Sequence, residues 1–376
     1  MNRLLGLELL RGVAATLVLL EHLRYVVPTV CGPAVALPWA IDRFDGYWGV
    51  DIFFVLSGYL IGLTLDKPGT TARSFLLARL ARVLPIYLLA STLCLVLKSV
   101  LTGGVTLPTL VTTYTLMPLA GDALNPAPVH PYGWTLCYEV LFYLAATGLA
   151  AAVGGRRAVP LLVALFALTP LAFTAAGPVA GWGYPSFALS PLTAEFALGL
   201  LAYRLTGVTP KWAGWALLGL GVAGCVRGGL ADGNYGAQAE VIADPLRAWG
   251  RVARFGLPAF LVVLGTARLD RAGTFRPVAR LATAAGAVSY SLYLTQPFAF
   301  LAVAIVGPLF GVTSPWVAAA LAVTFAFALS AAVAYYVDLP LHAAAKRWVR
   351  GPAPESRPTP PGPAPTLPLA LGSLAR

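Results

Sequence analysis

The sequence predicts an all-α polytopic membrane protein of about ten transmembrane helices, with both termini cytoplasmic. Three observations predict it. Hydrophobic residues make up 58% of the 376 and charged residues only 11%, against about 25% charged in soluble domains. Apolar runs of about 17–25 residues, long enough to cross a bilayer, recur along the chain. The basic residues fall in every second connection, which is the positive-inside pattern.

The first run, 5–27, follows Arg3 and is apolar like a signal peptide. It holds Arg11 and Glu21 and lacks an A-x-A-like cleavage site, so it reads as a retained span. Further spans read at 48–65, 76–98, 132–153, 158–175, 187–205, 211–227, 250–267, 286–309 and 315–346. Leu107–Leu119 is shorter, broken by Pro108 and Pro118, and reads as a re-entrant or interfacial piece. Lys67 and Arg73, then Arg156 and Arg157, Arg204 and Lys211, and Arg268, Arg271, Arg276 and Arg280 occupy the even connections, with Lys346, Arg347 and Arg350 at the end. The odd connections are poor in basic residues or mix signs, as in Asp42-Arg43-Phe44-Asp45. The net charge of +11 is therefore a topology signal, and no soluble basic face is left to hold a nucleic acid. Residues 1–350 form one membrane domain, and 351–376 a Pro-rich tail that cannot pack a core. No internal repeat is visible, which weighs against an inverted-repeat transporter.

The four cysteines form no C-x-x-C. Cys94 and Cys137 fall inside spans as packing residues, while Cys31 and Cys225 both fall near the outer face, where a disulfide is open to them. The three histidines are scattered and show no metal-ligand spacing.

Ionisable residues inside spans are functional-site hypotheses, because each costs several kcal/mol in hydrocarbon. Arg11 and His22 stand eleven residues apart, three helical turns plus about 20°, so they share one helix face about 16 Å apart along the axis. Span directions put His22, Asp51 and Glu139 toward the outer face, an imidazole and two carboxylates at similar depth. Arg79 and Arg82 open the third span on the inner side, with Arg73 just before and Arg11 nearby; clustered arginines suit phosphate through bidentate, charge-assisted bonds. Plain structural readings stand beside these. Arg79 and Arg82 also fit positive-inside anchors, His22 an interfacial residue, Glu139 a helix-packing group, and Glu21 with Arg24 an i,i+3 surface pair.

Four motifs in order resemble the acyltransferase-3 family of bacterial integral-membrane O-acyltransferases. Arg11 and His22 match its Arg-x10-His motif, Asp51-Ile-Phe-Phe-Val-Leu-Ser-Gly-Tyr-Leu-Ile61 its second-span signature, and Arg79-Leu-Ala-Arg82 its Arg-x-x-Arg. Trp134-Thr-Leu-Cys-Tyr-Glu-Val-Leu-Phe-Tyr143 resembles its Trp-Ser-Leu-x-x-Glu-x-x-Phe-Tyr element, and Glu195–Arg204 and Ser289–Leu294 resemble later ones. Two departures stand out. Gln296 follows the Ser-Tyr-Ser-Leu-Tyr-Leu run where the family often has histidine, and Asp338 takes a place commonly held by glutamate.

The resemblance implies an acyl-CoA donor, most simply acetyl-CoA, as a substrate with no permanently bound cofactor or metal. It implies a carbohydrate or glycosylated acceptor and a place in the bacterial inner membrane. His22 is the expected base or acyl carrier, oriented by Glu139 or Asp51. Arg11, Arg79 and Arg82 are expected on the donor's phosphates, and Trp134, Tyr138, Ser57 and Gln296 on substrate. The competing classes are a transporter or flippase of a lipid-linked or acidic small molecule, with His, Asp and Glu as a proton relay, and a non-catalytic membrane subunit.

Overall fold

A computed structural model describes residues 4–118, 127–177, 183–230, 241–242 and 244–350. The Pro-rich stretch 351–376 lies outside the described residues, as does Leu119 of the expected re-entrant piece. Every regular element among the described residues is a helix, with no strand among them.

Among the described residues, ten helices are long and apolar enough to cross a membrane: Leu5–Cys31, Trp48–Leu65, Ala72–Leu101, Gly133–Val153, Gly155–Ala176, Pro185–Leu205, Lys211–Leu230, Pro245–Arg271, Arg276–Leu309 and Pro315–Val349. They coincide with the ten expected runs and extend several of them by a few residues, because the helices continue beyond their apolar stretches to polar caps and charged ends. Large apolar side chains such as Leu168, Leu220 and Phe325 remain exposed on the outer wall, as a lipid-facing surface requires. Leu107–Thr115 is a short helix stopped by Leu116 in a left-handed conformation.

The first span packs against the second, eighth and ninth, and the second also against the fourth, fifth and sixth. The second and sixth spans meet at Gly58 and Gly199, where a Cβ on either would overlap the backbone of the other helix. Such a small-residue crossing lets two helices approach closely in a bilayer. All four cysteines are free thiols. Cys225 is buried against Phe255 and Val262 between the seventh and eighth spans, whereas Cys31 packs in a separate cluster with the ninth and tenth, so the disulfide the sequence left open does not form.

The first span is broken at His22, between Leu5–Glu21 and Leu23–Cys31. There the backbone N–H turns to the carbonyl three residues back, Leu19, and the ring takes the Val18 carbonyl. Glu21 and Arg24 are not the surface pair their spacing suggested. Glu21 is fully buried, 3.1 Å from Arg24, and accepts the Gly46 N–H at 2.7 Å, while Arg24 donates to the Phe44 carbonyl. Together they clamp the loop before the second span and set Tyr47 beside His22.

Candidate active site

Two cavities adjoin at Arg79 and Arg82. The larger one is a vestibule of about 870 Å³ walled by Lys67, Arg73, Arg79, Arg82, His342 and Lys346, together with Thr64, Thr71 and Ser74. The inner one, about 110 Å³, lies among the spans and is lined by Arg11, Ser57, Arg79, Arg82, Glu139 and Tyr143, with Phe53, Thr135 and Tyr293 at its wall. Arg79 spends Nη2 on the Leu60 carbonyl and Thr64 hydroxyl, at 3.0 and 2.9 Å. Arg82 holds Asp338 through Nη1 at 3.2 Å. Each guanidinium has five N–H donors, so both keep donors for a ligand.

The structure therefore brings Arg11, Arg79, Arg82, Ser57 and Glu139 together, but not as two separate tiers. Glu139 belongs with the arginines. It lies deeper in its span than Asp51 does in its own, and its carboxylate accepts from Ser57 at 2.5 Å and Tyr143 at 3.1 Å. The expectation that Glu139 or Asp51 orients the His22 ring is corrected. Nδ1–H of His22 donates instead to the Val18 carbonyl at 2.6 Å, since a carbonyl oxygen can only accept, and Nε2 is left as the atom available to a proton or an acyl group.

Asp51 is fully buried and bidentate to Arg251, at 3.1 and 2.8 Å. Glu195 is fully buried beside Asp51 and Arg251. This cluster ties the second, sixth and eighth spans together. Trp134 and Tyr138 are core residues rather than open ligand contacts: Trp134 packs on Phe54 and Tyr138 stacks on Phe187 at 3.9 Å. Gln296 is buried and donates to the Tyr293 carbonyl at 3.2 Å, so it shapes the ninth span near its Pro297.

Around His22 stand four aromatic rings, Tyr132 at 4.8 Å between centroids, Tyr25 at 6.1 Å, Tyr47 at 6.4 Å and Phe300 at 6.5 Å. The Tyr25 and Tyr47 hydroxyls are hydrogen-bonded at 3.0 Å, and Tyr25 is exposed.

A family model for an acyltransferase domain matches residues 4–335, the whole of this arrangement except the last helical turns. The chain belongs to the acyltransferase-3 family. A relative within reach is the exopolysaccharide production protein ExoZ of Rhizobium meliloti (strain 1021), 30% identical over 285 residues, which cover 72% of this chain and 81% of the relative. No solved structure matches. Membership makes the protein a membrane acyltransferase. Asp338 sits at the end of a π-helical segment, Ala334–Asp338, and accepts from both Arg82 and Ser291. The π-helical turn thus ends on the carboxylate that holds Arg82.

Sequence reasoning on this acyltransferase missed Arg251 and His130. Arg251 reads as one more basic residue near a span end. His130 lies in a Pro-rich loop just before the fourth span, fully buried. Its Nε2–H donates to the Leu294 carbonyl at 3.0 Å, and its Nδ1 accepts the Tyr132 N–H at 3.2 Å. Burial pushes this imidazole down to about 4. Between pH 6.5 and about 4 the unfolded chain takes up a proton that the folded one refuses, so stability falls as pH is lowered through that window. Protonation would also turn Nδ1 into a donor facing the Tyr132 N–H. The melting temperature in detergent is expected to drop from pH 6.5 toward 4 more steeply in the wild type than in His130→Gln; parallel curves would count against a neutral, buried His130.

Proposed function

We propose that this protein is an integral-membrane O-acyltransferase that carries an acyl group, most simply acetyl, from cytosolic coenzyme A to a hydroxyl of a carbohydrate or glycosylated acceptor on the outer side of a bacterial inner membrane. The observation that carries the reading is that Arg79 and Arg82 wall both the basic vestibule and the interior cavity. A donor with several phosphates and a long flexible arm fits that plan: phosphates on Lys67, Arg73, Arg79 and Arg82, arm pointing inward past Arg11. The small volume of the inner cavity favours a short acyl group. On the far side, the aromatic surroundings of His22 suit the C–H faces of a sugar, and the relative's name concerns exopolysaccharide production.

In the reaction, His22 Nε2 takes the proton of the acceptor hydroxyl as its oxygen attacks the thioester carbon. The C–S bond breaks, and the departing thiolate takes the proton back from the imidazolium. The Val18 carbonyl holds Nδ1–H throughout and keeps Nε2 directed at the substrate.

The test compares acyl-CoA with the same acyl group on a short pantetheine thioester that lacks the nucleotide. In Arg79→Ala with Arg82→Ala, KM for acyl-CoA is expected to rise about tenfold or more, the worth of one charge-assisted hydrogen bond or better. KM for the short thioester should stay as it was. An unchanged preference for the nucleotide-bearing donor means the arginines are topology anchors. Uptake of a lipid-linked or acidic solute into vesicles, with no thioester turnover, would favour the transporter reading.

A further inference from the structure

The inner cavity does not run on to His22. Its wall on that side is made by Phe53, Thr135 and Tyr293. Tyr293 packs on Phe53 at 5.8 Å and on Tyr132 at 5.3 Å, and Tyr132 in turn meets the His22 ring edge-on at 4.8 Å. Tyr132 and Tyr293 are both buried. In order, then, come cavity, Tyr293 with Phe53, Tyr132, and His22.

Polar ties hold this layer in place. Thr135 donates to the Tyr132 carbonyl at 3.0 Å and so accepts from the Tyr293 hydroxyl at 2.9 Å. The ring of His130 bridges the Tyr132 N–H to the Leu294 carbonyl, one residue beyond Tyr293. Two spans and one loop are thereby pinned at a single point. Tyr132 stands at the end of the loop, just before the helix that begins at Gly133.

We propose that Tyr132 and Tyr293 form a partition that sets the enzyme's choice of acceptor over water, by keeping the thioester away from His22 until a bound acceptor displaces Tyr132. This rests on the reading of the inner cavity as the donor's and of His22 as the base. A thioester within reach of an imidazole and of water would hydrolyse, giving the free acid and coenzyme A. An acceptor seated on His22 necessarily meets Tyr132, the nearest of its four aromatic neighbours. The same contact that reports the acceptor therefore opens the route to the donor.

The experiment uses purified full-length protein with acetyl-CoA alone and follows thiol release. The wild type is expected to be slow. Tyr293→Ala should release thiol about tenfold faster or more, since bringing thioester, base and water together is worth at least that much, and adding His22→Ala should return the rate to the wild-type level. A defect in folding alone lowers every rate and cannot produce this gain. Where the alanine variant fails to fold, Tyr293→Phe keeps the ring and loses only the tie to Thr135, and about a threefold rise is expected from one hydrogen bond. Unchanged thiol release in a folded variant overturns the partition. Stabilisation of the wild type by acetyl-CoA, read as a raised melting temperature, tests the donor reading separately. With no stabilisation the donor reading fails; with stabilisation and no faster hydrolysis, only the partition does.

Discussion

Replacing His22 by alanine is expected to lower acyl transfer by about two to four orders of magnitude, the usual worth of a positioned general base, while the protein still inserts and stays folded. The structural loss is small. His22 sits at a break already present in the first span and is only partly buried, and its ring makes one hydrogen bond, to Val18. The chemical loss is large because no other described side chain presents an imidazole to that site: His130 spends both ring nitrogens on the backbone, and His342 lines the vestibule. His22→Gln separates the roles, since a glutamine amide can bond the Val18 carbonyl but cannot accept a proton. It should be as inactive as alanine and closer to the wild type in melting temperature. Transfer from radiolabelled acetyl-CoA to membrane glycans, alongside size exclusion in detergent, reads both quantities. Activity retained in either variant would falsify the base role.

The largest loss of stability is expected at Arg251. Removing one partner of a buried ion pair costs about 3–5 kcal/mol, because it leaves the other charge without compensation. Arg251→Leu strands Asp51, with Glu195 beside it, and no further cation is hydrogen-bonded to either carboxylate among the described residues. The expected result is a strongly lowered melting temperature and poor recovery of monodisperse protein. Asp51→Leu should be milder, since Glu195 is then at hand to take the arginine. Combining Arg251→Leu with Asp51→Leu should restore much of the stability, because well-packed apolar residues often replace a buried pair at little cost. If the double variant is as damaged as Arg251→Leu, the arginine is holding something other than that pair.

The ten spans were legible because a bilayer-crossing helix writes its length into composition, and the packing partners hardly matter to the signal. Depth was legible only in part. Arg11, Arg79, Arg82 and Ser57 do share a cavity, but Glu139 shares it too, while its place in the span points to the level of His22. Residue count from a span end gives depth to within a turn or two, and a side chain can lean by that much. Long-range pairings were not legible. Nothing local marks Arg251 as the partner of Asp51, 200 residues earlier, or Val18 as the partner of the His22 ring, since a backbone carbonyl carries no residue signature. The two π-helical segments among the described residues are hidden in the same way. Val252–Gly256 follows Arg251 directly, and Ala334–Asp338 ends on the carboxylate that holds Arg82, so each extra residue in the turn re-aims an ion-pairing side chain, and no hydrophobic period reveals it.

The pair between Asp51 and Arg251 also imposes an order on the protein's birth. The second span leaves the ribosome and enters the bilayer long before the eighth has been made. Asp51 stands in the first turn of its helix, near enough to the rim to remain wetted while it waits. The apolar run behind it, Ile52 to Leu56, carries the insertion. Only when the eighth span arrives, bearing Arg251, can the second sink its acid among its neighbours and exclude that water. Insertion and folding are thus separate events in this chain, and a nascent protein stopped short of the eighth span would be threaded through the membrane yet left unlocked.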